Sequence, residues 1–293
     1  MELRLGEHTI DCTNRTVVMG ILNISDDSPI GASIVASTSA VDRAVVLRGQ
    51  GATIIDIGAV STAAGARQLE TQEEIDRVCP AIEAVAREGI ATSVDTWNPE
   101  VARAAVGAGV HLLNDVSGFT NPEMVAVAGE LGMSVCVMHM RGQPAFHYDI
   151  DQSFDDITSE VEAFLLERAA VLDASGAVQV WLDPGFEFGK SLNDNLTMFG
   201  GLHGLVATGR PVLISASRKG FLAELLGHRK RQDAAGQLEA TLAFNTLAAF
   251  EGVHVVRVHD VQSISRALAV VKLGAMMSVN RRILAARYSS MEP

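Results

Sequence analysis

The sequence predicts an α/β protein, a closed (β/α)8 barrel of the TIM type, and three observations carry that expectation. Eight short apolar runs, rich in β-branched residues, recur along the 293 residues. Stretches with helical signals separate them, and each run ends in or near a polar residue. Short runs of this kind fit strands buried on both faces, as in a parallel sheet. A doubly wound open sheet is the other solution, but the Gly-rich phosphate turn it normally carries after its first strand is not in the sequence. The chain shows no linker or low-complexity stretch, so residues 1–293 are read as one domain.

In chain order the runs are 16–23 (TVVMGILN), 53–58 (TIIDIG), 90–95 (IATSVD) and 110–115 (VHLLND), then 133–139 (MSVCVMH), 178–183 (VQVWLD), 211–217 (PVLISAS) and 254–259 (HVVRVH). After the second run, Thr71 and Glu74 have the spacing of a capping box. Ile75, Val78, Ile82 and Val85 follow at helical intervals, with Pro80 expected to kink that helix. Asn98-Pro99 and Asn121-Pro122 each place a capping side chain before a proline at the first helical position. Gly89 and Gly109 mark helix ends.

Composition narrows the function. A formal charge of -12 argues against nucleic-acid and anionic-membrane partners, which need a basic footprint. Cys12, Cys79 and Cys136 are far apart, lack CxxC spacing and suit a reducing compartment as small core residues. No stretch reaches the ~20 apolar residues of a membrane span. Acidic Glu2 and Glu7 stand where a signal peptide would be basic, so a cytoplasmic protein is expected.

The chemistry lies where the strands end. Asn23, Asp56, Asp95, Asn114, His139, Asp183, Ser217 and His259 are polar residues at or just past the C-terminal ends of the runs, which a barrel gathers on one face. Turn chemistry alone places Asp and Asn at single strand ends, but eight in a row favour an active site. Asp95, Asn114 and Asp183 supply acceptors and an amide, which suits a flat heterocycle rich in N–H donors. Ser217, Arg218 and Lys219 after the seventh run, with Arg257 and His259 on the eighth, form a basic subset where barrels often hold phosphate. The plainer reading is that Arg218 and Arg257 pair with acidic neighbours. His139 and His259 lack metal-ligand spacing and are read as structural or hydrogen-bonding. Asp56 is read as a scaffold residue satisfying loop amides. Two Trp and two Tyr are too few for a base-stacking platform.

Taken together, "GILN", "SVDTWNPEVARAA", "LLNDVSG", "MHMRGQP", "LDPGFEFGKSLNDNL", "SASRKGF" and "RVHDV" resemble dihydropteroate synthase, in order and along nearly the whole chain. The resemblance implies a barrel that joins dihydropterin pyrophosphate to p-aminobenzoate in folate synthesis, as a homodimer, with sulfonamide- or sulfone-type compounds as further ligands. It places the pterin on Asp95, Asn114, Asp183 and Lys219, with Asp95 and Lys219 as catalytic residues. It assigns the pyrophosphate to Asn23, Arg257 and His259, Mg²⁺ to Asn23, and the p-aminobenzoate carboxylate to Ser217 and the helix it opens. The implied reaction is dissociative: pyrophosphate leaves, and the amine attacks the resulting cation, which the pterin-side carboxylates stabilise.

Two loops depart from the family. The first, normally near T-P-D-S-F, reads Ser25-Asp26-Asp27-Ser28-Pro29, with the proline displaced and the aromatic missing. The second, normally G-E-S-T-R-P-G, has Ala63 and Ala64 in place of arginine and proline. Glu187 within "DPGFEFGK" and Ser215 before "ASRK" are smaller changes at the mouth. The expectation is a divergent second paralogue that keeps the pterin pocket and has lost most synthase activity. A working synthase with substituted loops and a pterin-dependent methyltransferase are the alternatives. The methyltransferase has no need of SRK-x-F or RVHDV.

Overall fold

The computed structural model describes residues 1–24, 39–62, 67–144, 146, 151–228 and 237–272. A hairpin, β1 (Glu2–Leu5) and β2 (His8–Asp11), precedes the barrel strands. These are β3 (Val17–Asn23), β4 (Ile54–Gly58), β5 (Ala91–Asp95), β6 (Leu112–Asp115), β7 (Ser134–Met138), β8 (Gln179–Asp183), β9 (Leu213–Ile214) and β10 (Val255–Val258). Between them run α1 (Ala40–Gly49), α2 (Thr71–Arg87), α3 (Pro99–Gly107), α4 (Pro122–Glu130), α5 (Ile157–Ser175), α6 (Leu192–Gly200), α7 (Leu202–Ala207), α8 (Gly220–Leu225) and α9 (Leu238–Phe250). Residues 261–272 are also helical. No helix of the described residues is long and apolar enough to cross a membrane.

The sheet runs β8-β7-β6-β5-β4-β3-β10-β9, every pair parallel. It closes between β8 and β9 through the bridge Leu182↔Val212, where the Leu182 N–H donates to the Pro211 carbonyl at 2.8 Å. The expected strands are present in the expected order. The seventh is cut to two residues, because the chain turns away at Ser215 toward the loop that carries Ser217 and Lys219.

Alternation within strands separates two environments. One face of each strand (Val18, Ile55, Val94, Leu113, Val135, Val180, Ile214, Val256) packs on the helices as the main core. The other face fills the barrel, and there the chemistry changes along the axis. Met19, Ile54, Ala91, Leu112, Cys136, Trp181, Leu213 and Val255 make an apolar lower layer. The hairpin closes that end with Leu3, Leu5 and Ile10, a cap that the sequence pattern does not reveal. Its backbone is fixed by the Ser134 hydroxyl donating to the Arg4 carbonyl and by Gln179, which accepts from the Arg4 N–H and donates to the Glu2 carbonyl.

The Asn-Pro caps form as read: Asn98 accepts from the N–H groups of Glu100 and Val101, and Asn121 from that of Glu123. The Thr71–Glu74 box does not. Glu70 is the N-cap of α2 and makes no side-chain cap; Glu74 is buried and accepts instead from the Thr96 hydroxyl at 2.7 Å. A side chain that can reach a tertiary donor is withdrawn from its local one. Helix α2 runs through Pro80 to Arg87.

Candidate active site

Above the apolar layer the barrel interior turns charged. Asp56 lies in mid-strand on β4, lower than its reading as a strand end, and is fully buried. It does not serve loop amides. Its Oδ2 accepts from Arg257 Nε at 2.6 Å, and a second nitrogen of the same guanidinium donates to Asp95 Oδ2 at 2.6 Å. Arg257 therefore spans two carboxylates across the mouth, as the plainer reading had it, and Arg218 pairs with Asp260. Burial would lower the Arg257 pKa, but Asp56 and Asp95 outweigh it and raise the value. Burial pushes the Asp95 carboxyl up to about 7 against the pull of Arg257, with Asp56, Glu74 and Asp115 adding to the rise. Asp56 Oδ1 is buried with no hydrogen-bond partner among the described residues.

Asp183 ends β8 and is buried; burial raises its pKa, opposed by Lys219 and by the Gly185 N–H it accepts at 2.8 Å. Gly185, with φ +70, must be glycine, since a Cβ there would lie 2.1 Å from the His139 carbonyl oxygen. Lys219, also buried, donates to the Phe186 carbonyl at 2.7 Å and sits 4.5 Å from the centre of the Phe188 ring. Asn114 is buried beside Asp95 in register. No hydrogen bond from the described residues reaches its side-chain amide. Ser217 Oγ accepts from the His259 N–H and lies 3.1 Å from His259 Nδ1. Asn23 ends β3, half-buried.

The structure thus brings Asp95, Asn114, Asp183, Lys219 and Arg257 to one end of the barrel, with Ser217 and His259 beside them and Asn23 at the end of the neighbouring strand. It removes His139. That ring faces Phe164 of α5 at 5.1 Å, and burial, with Lys190 and Arg141 nearby, lowers its pKa to about 3. Pro29, Ala63 and Ala64 lie outside the described residues.

Two features escape sequence reasoning. Val116, Met138 and Met140, joined by Trp97 and Phe188, form an apolar cluster where β5 to β8 end. Their positions at or just past strand ends are the available signal. Lys190, buried, donates from Nζ to the carbonyls of His139, Gly185 and Phe188 and so knits two loops together. Burial and the charge of Lys219 lower its pKa to about 7.

At the far end, Glu7, His8 and His111 have metal-ligand proximity. His111 Nδ1 accepts the Thr92 N–H at 3.1 Å, which puts the ring proton on Nε2 and leaves neither nitrogen a lone pair for a cation. All three cysteines are unpaired, and burial raises their thiol pKa values, most for Cys136.

A family model described as "Pterin binding enzyme" matches residues 19–259. Dihydropteroate synthase of Escherichia coli (strain K12) is 36% identical over 269 residues, covering 90% of this chain and 94% of its own. Among solved structures, dihydropteroate synthase from Thermus thermophilus in complex with 4-aminobenzoate superposes with a TM-score of 0.84 at 38% identity, over 93% of this chain and 99% of that one. The Yersinia pestis enzyme with a sulfonamide drug gives 0.87 at 34%, over 94% and 100%. The matched span runs from the first barrel strand to the histidine after the last, and so contains Asn23, Asp95, Asn114, Asp183, Ser217, Lys219, Arg257 and His259. On these grounds the chain belongs to the pterin binding enzyme family, and is dihydropteroate synthase-like in sequence and fold.

Proposed function

We propose that the chain binds a dihydropterin pyrophosphate-type ligand at the barrel mouth and turns it over with p-aminobenzoate slowly or not at all. One observation carries the pterin half: Asp95, Asn114 and Asp183 stand on strand ends beside Lys219 and an apolar wall. Carboxylates and an amide match the N–H donors of a pterin edge, and the wall excludes water from its face. The Asn114 amide, with no partner among the described residues, is available to such a ligand.

The slow turnover rests on the loop sequences. Binding a ring uses groups on rigid strands, whereas catalysis needs contacts that closing loops deliver to the transition state. Ala63 removes one cation from the departing pyrophosphate, a loss of about 2–4 kcal/mol if the contact resembles other transition-state donors. Ala64 and the displaced Pro29 change the frame of the second-substrate pocket. A working synthase is the second reading, favoured by the 36% identity to the Escherichia coli enzyme. The sulfonamide complex of the Yersinia enzyme supports sulfonamide-type compounds as ligands of the same mouth under that reading.

Mg²⁺ fits the donors present: Asn23 offers a hard amide oxygen at a strand end, and the ion usually takes its remaining ligands from water and substrate phosphates. When bound it would neutralise charge on the pyrophosphate. Arg257 and His259 would orient that anion, Lys219 would hold the pterin side, and Asp95 would hold the ring.

We also infer a cytoplasmic homodimer. The unpaired cysteines support the compartment, and exposed Leu247, Phe250 and Val270 on α9 and the following helix support the second copy.

Titration calorimetry with a dihydropterin pyrophosphate tests the reading. Binding should be lost or weakened at least tenfold in Asp95→Asn and Asn114→Ala, about 1.4 kcal/mol or more. Affinity unchanged in Asp95→Asn overturns the pterin half. Turnover with p-aminobenzoate at ~1 per second or faster, or complementation of a strain lacking the synthase, overturns the slow half.

A further inference from the structure

The first turn of α2 serves a neighbour before its own helix. Thr71 and Glu74 have the spacing to cap that turn, yet both side chains reach residues 96–98, the link between β5 and α3. The Thr96 hydroxyl donates to Glu74 Oε1 at 2.7 Å, and Asn98 Nδ2 donates to Thr71 Oγ at 2.9 Å. Thr96 Oγ also accepts the Asn98 N–H at 3.2 Å, while Asn98 Oδ1 caps α3. Helix α2 itself is left without a side-chain cap.

This arrangement works against stability. Glu74 is buried, and among the described residues no cation pairs with it. Burial raises its pKa, and the hydrogen bond from Thr96 opposes the rise. An acid met by one neutral hydroxyl is poorly compensated for the water it has lost, and α2 forgoes the stabilisation of a cap. Local rules broken at such a cost mark a position held for function.

Glu74 grips the part of the chain that carries the mouth. Thr96 is buried, directly follows Asp95, and donates its N–H to the Asn114 carbonyl at 3.2 Å. Asp95 and Asn114 are themselves paired in register at the ends of β5 and β6. Thr96 is thus tied by its backbone to both strand ends and by its side chain to α2. Its N–H lies past the last residue of β5, where a ladder frays first. With the side chain released, the stitch between the two ends would rest on that one backbone hydrogen bond.

We propose that Glu74 is a positioning residue of the mouth: through Thr96 it holds Asp95 and Asn114 at their spacing, so that the fit of a ring there depends on the first turn of α2. The proposal rests on the pterin reading of the same mouth.

The test pairs amide hydrogen exchange on the full chain without ligand with calorimetric titration of a dihydropterin pyrophosphate. Glu74→Ala should speed exchange of the Thr96 amide about tenfold relative to that of Val256 on β10. Glu74→Gln keeps an acceptor for the Thr96 hydroxyl and should hold that ratio within about threefold of the wild-type chain. Pterin affinity should fall about tenfold in Glu74→Ala and Thr96→Val, and return to within about threefold in Glu74→Gln and Thr96→Ser. If Thr96→Val does not fold, Glu74→Ala against Glu74→Gln decides. An unchanged exchange ratio in Glu74→Ala overturns the proposal. So does wild-type affinity in Glu74→Ala, or a loss in the conservative variants as large as in the others, which would make the link merely structural. If the pterin compound does not bind the wild-type chain but Thr96 exchange still follows Glu74, the pterin reading fails and the positioning of the two strand ends stands.

Discussion

Arg257 shows how one residue can be both scaffold and site. Its guanidinium is neutralised from below by Asp56 and from the side by Asp95. Removing one partner of a buried pair leaves an uncompensated charge, which typically costs about 3–5 kcal/mol. Asp56→Ala should lower stability by that order in a denaturant series and also weaken pyrophosphate-bearing ligands, through the loss of a positioned Arg257. A change below ~1 kcal/mol would show that Asp56 is not needed to hold the charge. His139 makes a different prediction. Burial keeps it neutral with a pKa near 3, below the ordinary 6.5, so between those values the unfolded chain binds more protons and stability falls as pH falls. The full effect is roughly 3–5 kcal/mol. Asp115, raised by burial to about 6, acts oppositely: its contribution is complete below its unfolded value and is lost as pH rises through 6. Thermal melts of His139→Phe should therefore lose most of the acid destabilisation, the ring still packing on Phe154 and Phe164. An unchanged acid limb would place the effect elsewhere. These residues differ in how far the sequence exposes them. Asp95, Asn114 and Asp183 are legible because strand ends are legible. The pairing of Asp56 with Arg257 joins residues 201 positions apart, and nothing local encodes it.

At the scale of elements, the barrel strands are readable because a two-sided buried strand is a compact apolar run with turn residues on either side. The hairpin is not. Its four-residue strands alternate exposed and buried side chains in a stretch too short to distinguish from a loop, and its apolar residues matter only because they plug a barrel. Leu5→Ala should cost about 2–5 kcal/mol in unfolding experiments while leaving ligand binding at the other end unaltered. Weakened ligand binding in a still-folded variant would show that the plug shapes the mouth. The loops behave as a unit. Ala63→Arg alone should recover little synthase turnover, because the first loop is also changed and cooperating groups are not additive. Restoring the family pattern in both should recover far more in a steady-state assay. Equal recovery from the single change would make the missing arginine the whole defect.

For the whole molecule, light scattering at micromolar concentration should report about twice 31.1 kDa if the exposed apolar residues of α9 and the following helix are covered by a second copy. The closure of the barrel has a larger consequence. A ring is as tight as its weakest seam, and here the seam is the single bridge between β8 and β9, whereas β4 and β5 share five paired residues. Thermal breathing should begin there, and the Leu182 amide should exchange its hydrogen sooner than those of β4. Asp183 stands on one lip of that seam and Lys219 on the other. A ligand that grips both is a staple across the gap, so binding should slow exchange at Leu182 more than anywhere on the opposite wall, and occupancy would reinforce a closure that one bridge otherwise carries.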